Sequence, residues 1–165
     1  MTDQATTDQA SPADDRVVVG IDGSESSHQA LRWARFLAQT TGSTVEATAV
    51  WQPVVAYGLA GIGWAAAPRT PSDWDPAEEA NKILNDSLDE VFGAQRPPKL
   101  QLTVREGNAA QVLIELSKGA TMLVVGSRGH GGFANLLLGS VSGACTEHAT
   151  CPVLVVHGEA PPPHL

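Results

Sequence analysis

Two short segments rich in glycine and serine hold the residues best suited to chemistry in this chain. Directly after an apolar run that closes at Val125, the sequence reads Gly126-Ser127-Arg128-Gly129. Nine residues later it reads Gly139-Ser140-Val141-Ser142. Each residue type suits the binding of an anion. Gly126, at the end of a strand, lets backbone approach a ligand, and Gly129 permits a turn with positive φ. Gly139 lets the chain enter the next helix with no side chain in the way. Ser140 and Ser142 place hydroxyls at that helix's N-terminus, where free N–H groups and the dipole attract phosphate. Arg128 adds a charge-assisted bond to a phosphate oxygen. The plain alternative is that the glycines turn the chain and Ser140 caps a helix.

Two familiar nucleotide loops do not fit. No G-x-x-x-x-G-K-[ST] occurs, so a P-loop with its phosphate-gripping lysine is excluded. No G-x-G-x-x-G follows the first strand, which argues against the usual dinucleotide fold. Asp22 stands before Gly23, where Asp-Gly favours a turn, but it also ends a strand, where α/β proteins collect ligand contacts. His130, among Gly129, Gly131 and Gly132, reads as a solvated loop histidine rather than a general base. His28, His148, His157 and His164 form no ligand-spaced cluster, so no metal site built by the protein is expected.

The elements that must position these residues alternate. Strands are expected over Arg16–Ile21, Thr44–Trp51, Leu100–Arg105, Met122–Val125 and Val153–Val156. Helices are expected from about Ser26 to Thr41, from Asp75-Pro76 to about Phe92, after the cap Asn108, and from Ser140 to about His148. Trp33, Phe36 and Leu37 read as packing residues of the first helix. Alternation of this kind implies an α/β fold with a parallel sheet and helices on both faces. Right-handed crossovers limit it to a few doubly wound orders, of which the one expected is a single domain with a five-stranded parallel sheet in the order 3-2-1-4-5. Strands one and four then flank the switch point, where chemistry should gather at Asp22 and Gly126. The domain is expected over 16–157, between a disordered arm at 1–15 and a flexible Pro-rich tail at 158–165. The long Gln52–Trp74 loop reads as a lid closing over a ligand or partner. The last strand, Val153, Leu154, Val155 and Val156, should lie at a sheet edge and invite pairing with a second copy.

Composition narrows the function further. The 165 residues have a net charge of −8, with 42% hydrophobic and 17% charged residues. That suits a globular domain and disfavours nucleic acid or an anionic membrane surface as partner. No stretch is long enough to span a membrane. Neither a signal-peptide pattern nor a disulfide framework is visible; Cys145 and Cys151 read as buried reduced thiols of a cytoplasmic protein.

The spacing G-x2-G-x9-G-S followed by Val-Ser resembles the nucleotide loop of the universal stress protein family, in its ATP-binding branch. Three separated segments share the likeness: Val17 to Ser24, Leu123 to Gly129 and Cys151 to Val156. The resemblance implies that ATP is the ligand, with any Mg²⁺ carried in on its phosphates. It places Asp22, with Gly20 and Ile21 beside it, at the ribose or adenine side, and Val50 at adenine through its backbone. Gly126, Ser127, Arg128, Gly129 and Gly139 would line the phosphate path, with Ser140, Val141 and Ser142 donating to phosphate oxygens. One departure is Ala120-Thr121, where the family usually carries Ala-Asp, at the far end of the fourth strand. The resemblance further implies a homodimer through the last strand and a stress-response switch that shows ATP-dependent surfaces to an unidentified protein partner. The alternatives are a slow ATPase or phosphotransferase, and a dimerisation module that has lost its nucleotide. Lacking a positioned base, phosphate-gripping lysine or metal cluster, the chain offers no catalytic residue to name.

Overall fold

The computed structural model describes residues 15–53, 75–129, 138–158 and 161–163. The lid expected over Gln52–Trp74 lies outside them but for its first two residues. His130, with most of the expected N-terminal arm and part of the tail, lies outside them as well. Asp15 is the first described residue, and its carbonyl accepts the Thr44 N–H at 2.7 Å.

Among the described residues, five strands and four helices alternate along the chain. They are β1 (Arg16–Ile21), α1 (Glu25–Thr41), β2 (Thr44–Trp51), α2 (Pro76–Phe92), β3 (Leu100–Glu106), α3 (Ala109–Leu116), β4 (Met122–Gly126), α4 (Ser140–His148) and β5 (Val153–Val156). The strands form one sheet in the order β3-β2-β1-β4-β5, with every recorded pairing parallel. The expected fold is therefore the observed one, and β1 and β4 do lie side by side at the switch point. Among the described residues no helix is long and apolar enough to cross a membrane.

Local chemistry explains where the helices begin. Ser24 caps α1 by accepting the Ser27 N–H at 3.2 Å, and Gly42 ends the helix with φ 75°. Asp75 caps α2 ahead of Pro76, and Asn108 caps α3 by accepting the Gln111 N–H. α4 differs, because its N-cap is Gly139 and no side chain among the described residues caps its first turn.

β1 is buried on both faces, and its alternate residues serve two cores. Val17, Val19 and Ile21 pack with Leu31, Ala34, Leu84 and Leu88 of α1 and α2. Val18 packs with Leu113, Leu123, Val125 and Cys145 on the α3 and α4 side. Trp33 and Leu37 are half-buried against the first core, and Trp33 meets Phe36 edge to face at 5.8 Å. On the second face Glu46 is buried with 1% exposure, paired with the Arg16 guanidinium and accepting the Thr103 hydroxyl at 2.8 Å. Arg16 also donates to the Leu116 and Lys118 carbonyls, tying β1 to the end of α3. A buried charge is tolerated when so partnered.

Candidate functional site

A cavity of about 380 Å³ opens at the carboxyl ends of β1, β2 and β4. Gly20, Ile21 and Asp22 form one wall and Val50 another. Gly126, Arg128 and Gly129 follow β4, and Gly139, Ser140, Val141 and Ser142 bring in the start of α4. Every residue expected at the ligand except Ser127 lines this one cavity. Ser127 is buried beneath it. Its N–H donates to the Val156 carbonyl, and its own carbonyl accepts the Gly139 N–H, both at 2.8 Å. It thus pins the loop between β5 and α4 rather than facing the cavity.

Three of these glycines would meet different surroundings if they carried a side chain. A Cβ on Gly126 would collide with Ser26 of α1, reaching its carbonyl carbon and oxygen at 2.8 Å. A Cβ on Gly129 would run into the Asp22 carboxylate. Gly129 is absent from the glycines of positive φ, contrary to the expected left-handed turn. A side chain there would have to displace the Asp22 carboxylate. Gly139, with φ −69° and ψ 165°, has a conformation open to any residue, and a Cβ would sit in ordinary contact 3.5 Å from the Ser127 carbonyl. Its bareness keeps the cavity open and is not a demand of the fold.

Hydrogen bonds sort the polar groups into those already engaged and those available. Asp22 Oδ1 accepts the Ser24 N–H at 3.0 Å and the Ser24 hydroxyl at 2.5 Å, so Asp22 shapes the turn into α1 as well as facing the cavity. The Ser142 hydroxyl, expected to donate to phosphate, donates instead to the carbonyls of Ser127 and Gly139 at 3.0 and 3.1 Å. Burial at 2% exposure leaves that hydroxyl the role of a brace. Ser140 is exposed at the first position of α4. The first hydrogen bond of α4 runs from Gly143 N–H to the Gly139 carbonyl. The N–H groups of Ser140, Val141 and Ser142 therefore precede the helical ladder, and no cap side chain among the described residues covers them. Such donors, together with the exposed Arg128, suit an anion.

Some cavity residues gave no motif in the sequence, among them Leu113, Ser27 and Thr48. Leu113 of α3 packs on bare Gly20, where a Cβ would meet its Cδ1 at 2.9 Å, and so shapes one side. Ser27 and Thr48 add hydroxyls to the lining. Thr48 is buried with 1% exposure, and its Oγ1 has no hydrogen-bond partner among the described residues. A polar atom left so is costly, and a ligand entering the cavity can satisfy it. Alternation along β2 was the only signal for Thr48, since it shares a face with Val50.

Comparison with known proteins fits this geometry. Residues 15–157 match the model of the universal stress protein family. A universal stress protein of Mycolicibacterium smegmatis is 34% identical over 151 residues, covering 87% of this chain and 48% of the relative. Universal stress protein Rv2623 of Mycobacterium tuberculosis is 31% identical over 148 residues, covering 87% and 48%. The chain thus spans about half the length of these curated relatives. Among solved structures, a universal stress protein in complex with cAMP is 26% identical with a TM-score of 0.59, covering 87% of this chain and 96% of that one. The UspA protein of Lactobacillus plantarum, 18% identical with a TM-score of 0.57 and coverage of 87% and 97%, shares the fold.

Proposed function

Because this chain belongs to the universal stress protein family, we propose that the cavity between β1 and β4 holds an adenine nucleotide, ATP, and that its occupancy switches the surface offered to a protein partner during a stress response. The single observation behind this reading is the meeting, at the switch point, of bare glycines, the uncapped start of α4 and a buried unpartnered hydroxyl in one cavity. Phosphates would lie along Gly126, Gly129 and Gly139, taking N–H groups of Ser140, Val141 and Ser142, with Arg128 at the open side and Mg²⁺ brought in on the phosphates. Asp22 and the Val50 backbone would take ribose and base. A ligand acts as a switch only through different affinities for two states, so partner binding must differ with the nucleotide.

Binding rather than turnover is proposed, since the Asp22 carboxylate that lines the cavity is already engaged by Ser24. One comparison favours a second ligand. The 26%-identical relative was solved in complex with cAMP, whose single phosphate would use fewer of the donors at α4. Acid extraction of the purified chain, followed by calorimetric competition between ATP and cAMP, separates the two. Released ATP with tighter ATP binding is expected; preferential cAMP binding selects the second ligand, and binding of neither removes the proposal. Steady hydrolysis of the bound nucleotide would replace the switch with an enzyme. Gly139→Val should abolish binding by filling the phosphate path. Asp22→Asn, which keeps an oxygen for the turn, should weaken binding by about 1–3 kcal/mol.

A further inference from the structure

The face of α1 that looks away from the cavity holds an unexplained polar group. His28 is packed between α1 and α2, with 8% of its side chain exposed. Its Nε2 lies 3.1 Å from the Ser87 hydroxyl of α2. Its Nδ1 is buried with no hydrogen-bond partner among the described residues, and two carboxylates face it. Glu90 Oε1 of α2 is 3.4 Å away, and Glu25 Oε2 of α1 is 3.8 Å away. The Ser87 hydroxyl can accept the Nε2 proton, and the tautomer that donates it turns the Nδ1 lone pair toward the two carboxylates. In that tautomer a cation standing among the three groups is favourable.

The spacing suits such a cation. The three ligand atoms lie within 4.8 Å of one another. A tetrahedral ion with bonds of about 2.0–2.1 Å needs ligand atoms roughly 3.3 Å apart, so modest rotation of the two exposed glutamates closes the shell. Outer partners are in place. The other oxygen of Glu25 accepts Gln29 Nε2 at 3.1 Å and Arg32 at 3.3 Å, which holds that carboxylate while leaving Oε2 turned to the ring. Ser87 holds the ring orientation and can accept the Nε2 proton, as the partner of a ligating histidine commonly does. We propose that Glu25, His28 and Glu90 form a site for a divalent transition-metal ion of the zinc type, with water completing the shell. One imidazole and two carboxylates suit that ion class better than a thiolate-seeking one. The site joins the first turn of α1 to α2 and does not depend on the nucleotide reading.

The test uses the full chain, stripped with chelator, and zinc alone as probe. Calorimetry should find one zinc per chain held by this cluster. Glu90→Gln and Glu25→Gln, both at exposed carboxylates, should each weaken it by at least about tenfold without lowering the thermal midpoint of the zinc-free protein. Nitrogen NMR should move the His28 Nδ1 resonance to a metal-bound position, and anomalous diffraction should place zinc between α1 and α2. Zinc held at exposed His148 or His157 with Glu90→Gln indistinguishable from wild type overturns the proposal. So does a spectrum in excess zinc that keeps a proton on Nδ1, shared with Glu90.

Discussion

Thr48 presents an oxygen that nothing in the described chain bonds. This makes opposite predictions for the empty and the occupied protein. Thr48→Val keeps the shape and removes the orphaned oxygen, so the ligand-free protein should unfold at a higher temperature, by the equivalent of about 1 kcal/mol. The same change should weaken ATP binding by roughly 2–10-fold if the nucleotide bonds that oxygen. Thermal melts and calorimetry on one preparation read both signs. The cysteines differ just as plainly. Cys145 is fully buried, and burial pushes its thiol from 9.0 up to about 11; Cys151 is only half-buried. Because the unfolded thiol ionises first, the stability gained by keeping Cys145 neutral is present below pH 9 and is lost as pH rises towards 11. The urea-midpoint difference between wild type and Cys145→Ala should narrow across that window. A thiol reagent at neutral pH should label Cys151 well before Cys145.

At the scale of the element, the entry to α4 separates what the fold needs from what the ligand needs. Gly126→Ala places a methyl against Ser26 backbone and should destabilise the protein by about 1–3 kcal/mol in urea unfolding. Gly139→Asp meets only ordinary contacts and replaces one acceptable N-cap with another, so stability should change by less than about 0.5 kcal/mol. Its carboxylate would nevertheless occupy the helix N–H groups and repel phosphate. Folding that is intact with ATP binding lost is the expected result; binding that survives would move the phosphates away from α4. Asn108→Ala, by contrast, removes a real cap from α3 and should cost about 1 kcal/mol.

For the whole molecule, the doubly wound order makes β1 the common wall of both cores and leaves β3 and β5 as edges. Half-buried Val153, Leu154 and Val155 have their side chains engaged with the two cores, so what β5 offers a second copy is chiefly its unpaired backbone. The homodimer proposed through β5 should appear in light scattering as twice the chain mass. A single monomeric species at micromolar concentration would count against it.

The sequence by itself determined the strand–helix alternation and the places where the helices start, because these follow from short-range signals, and crossover handedness narrowed the strand order to a few. Apolar runs, caps such as Asn108 and Asp75, and the glycine spacing are all read within a few residues. It also located the cavity, since the switch point follows from topology. Only the tertiary structure decided which polar atoms remain available there. Ser127 and Ser142 turned inward, Gly129 came to lie against the Asp22 carboxylate, and Thr48 was left without a partner among the described residues. It alone brought Glu25 and His28 of α1 against Glu90 of α2. The physical reason is range: a hydrogen bond or a ligand shell joins atoms from distant segments, and no local pattern records which groups packing will bring together.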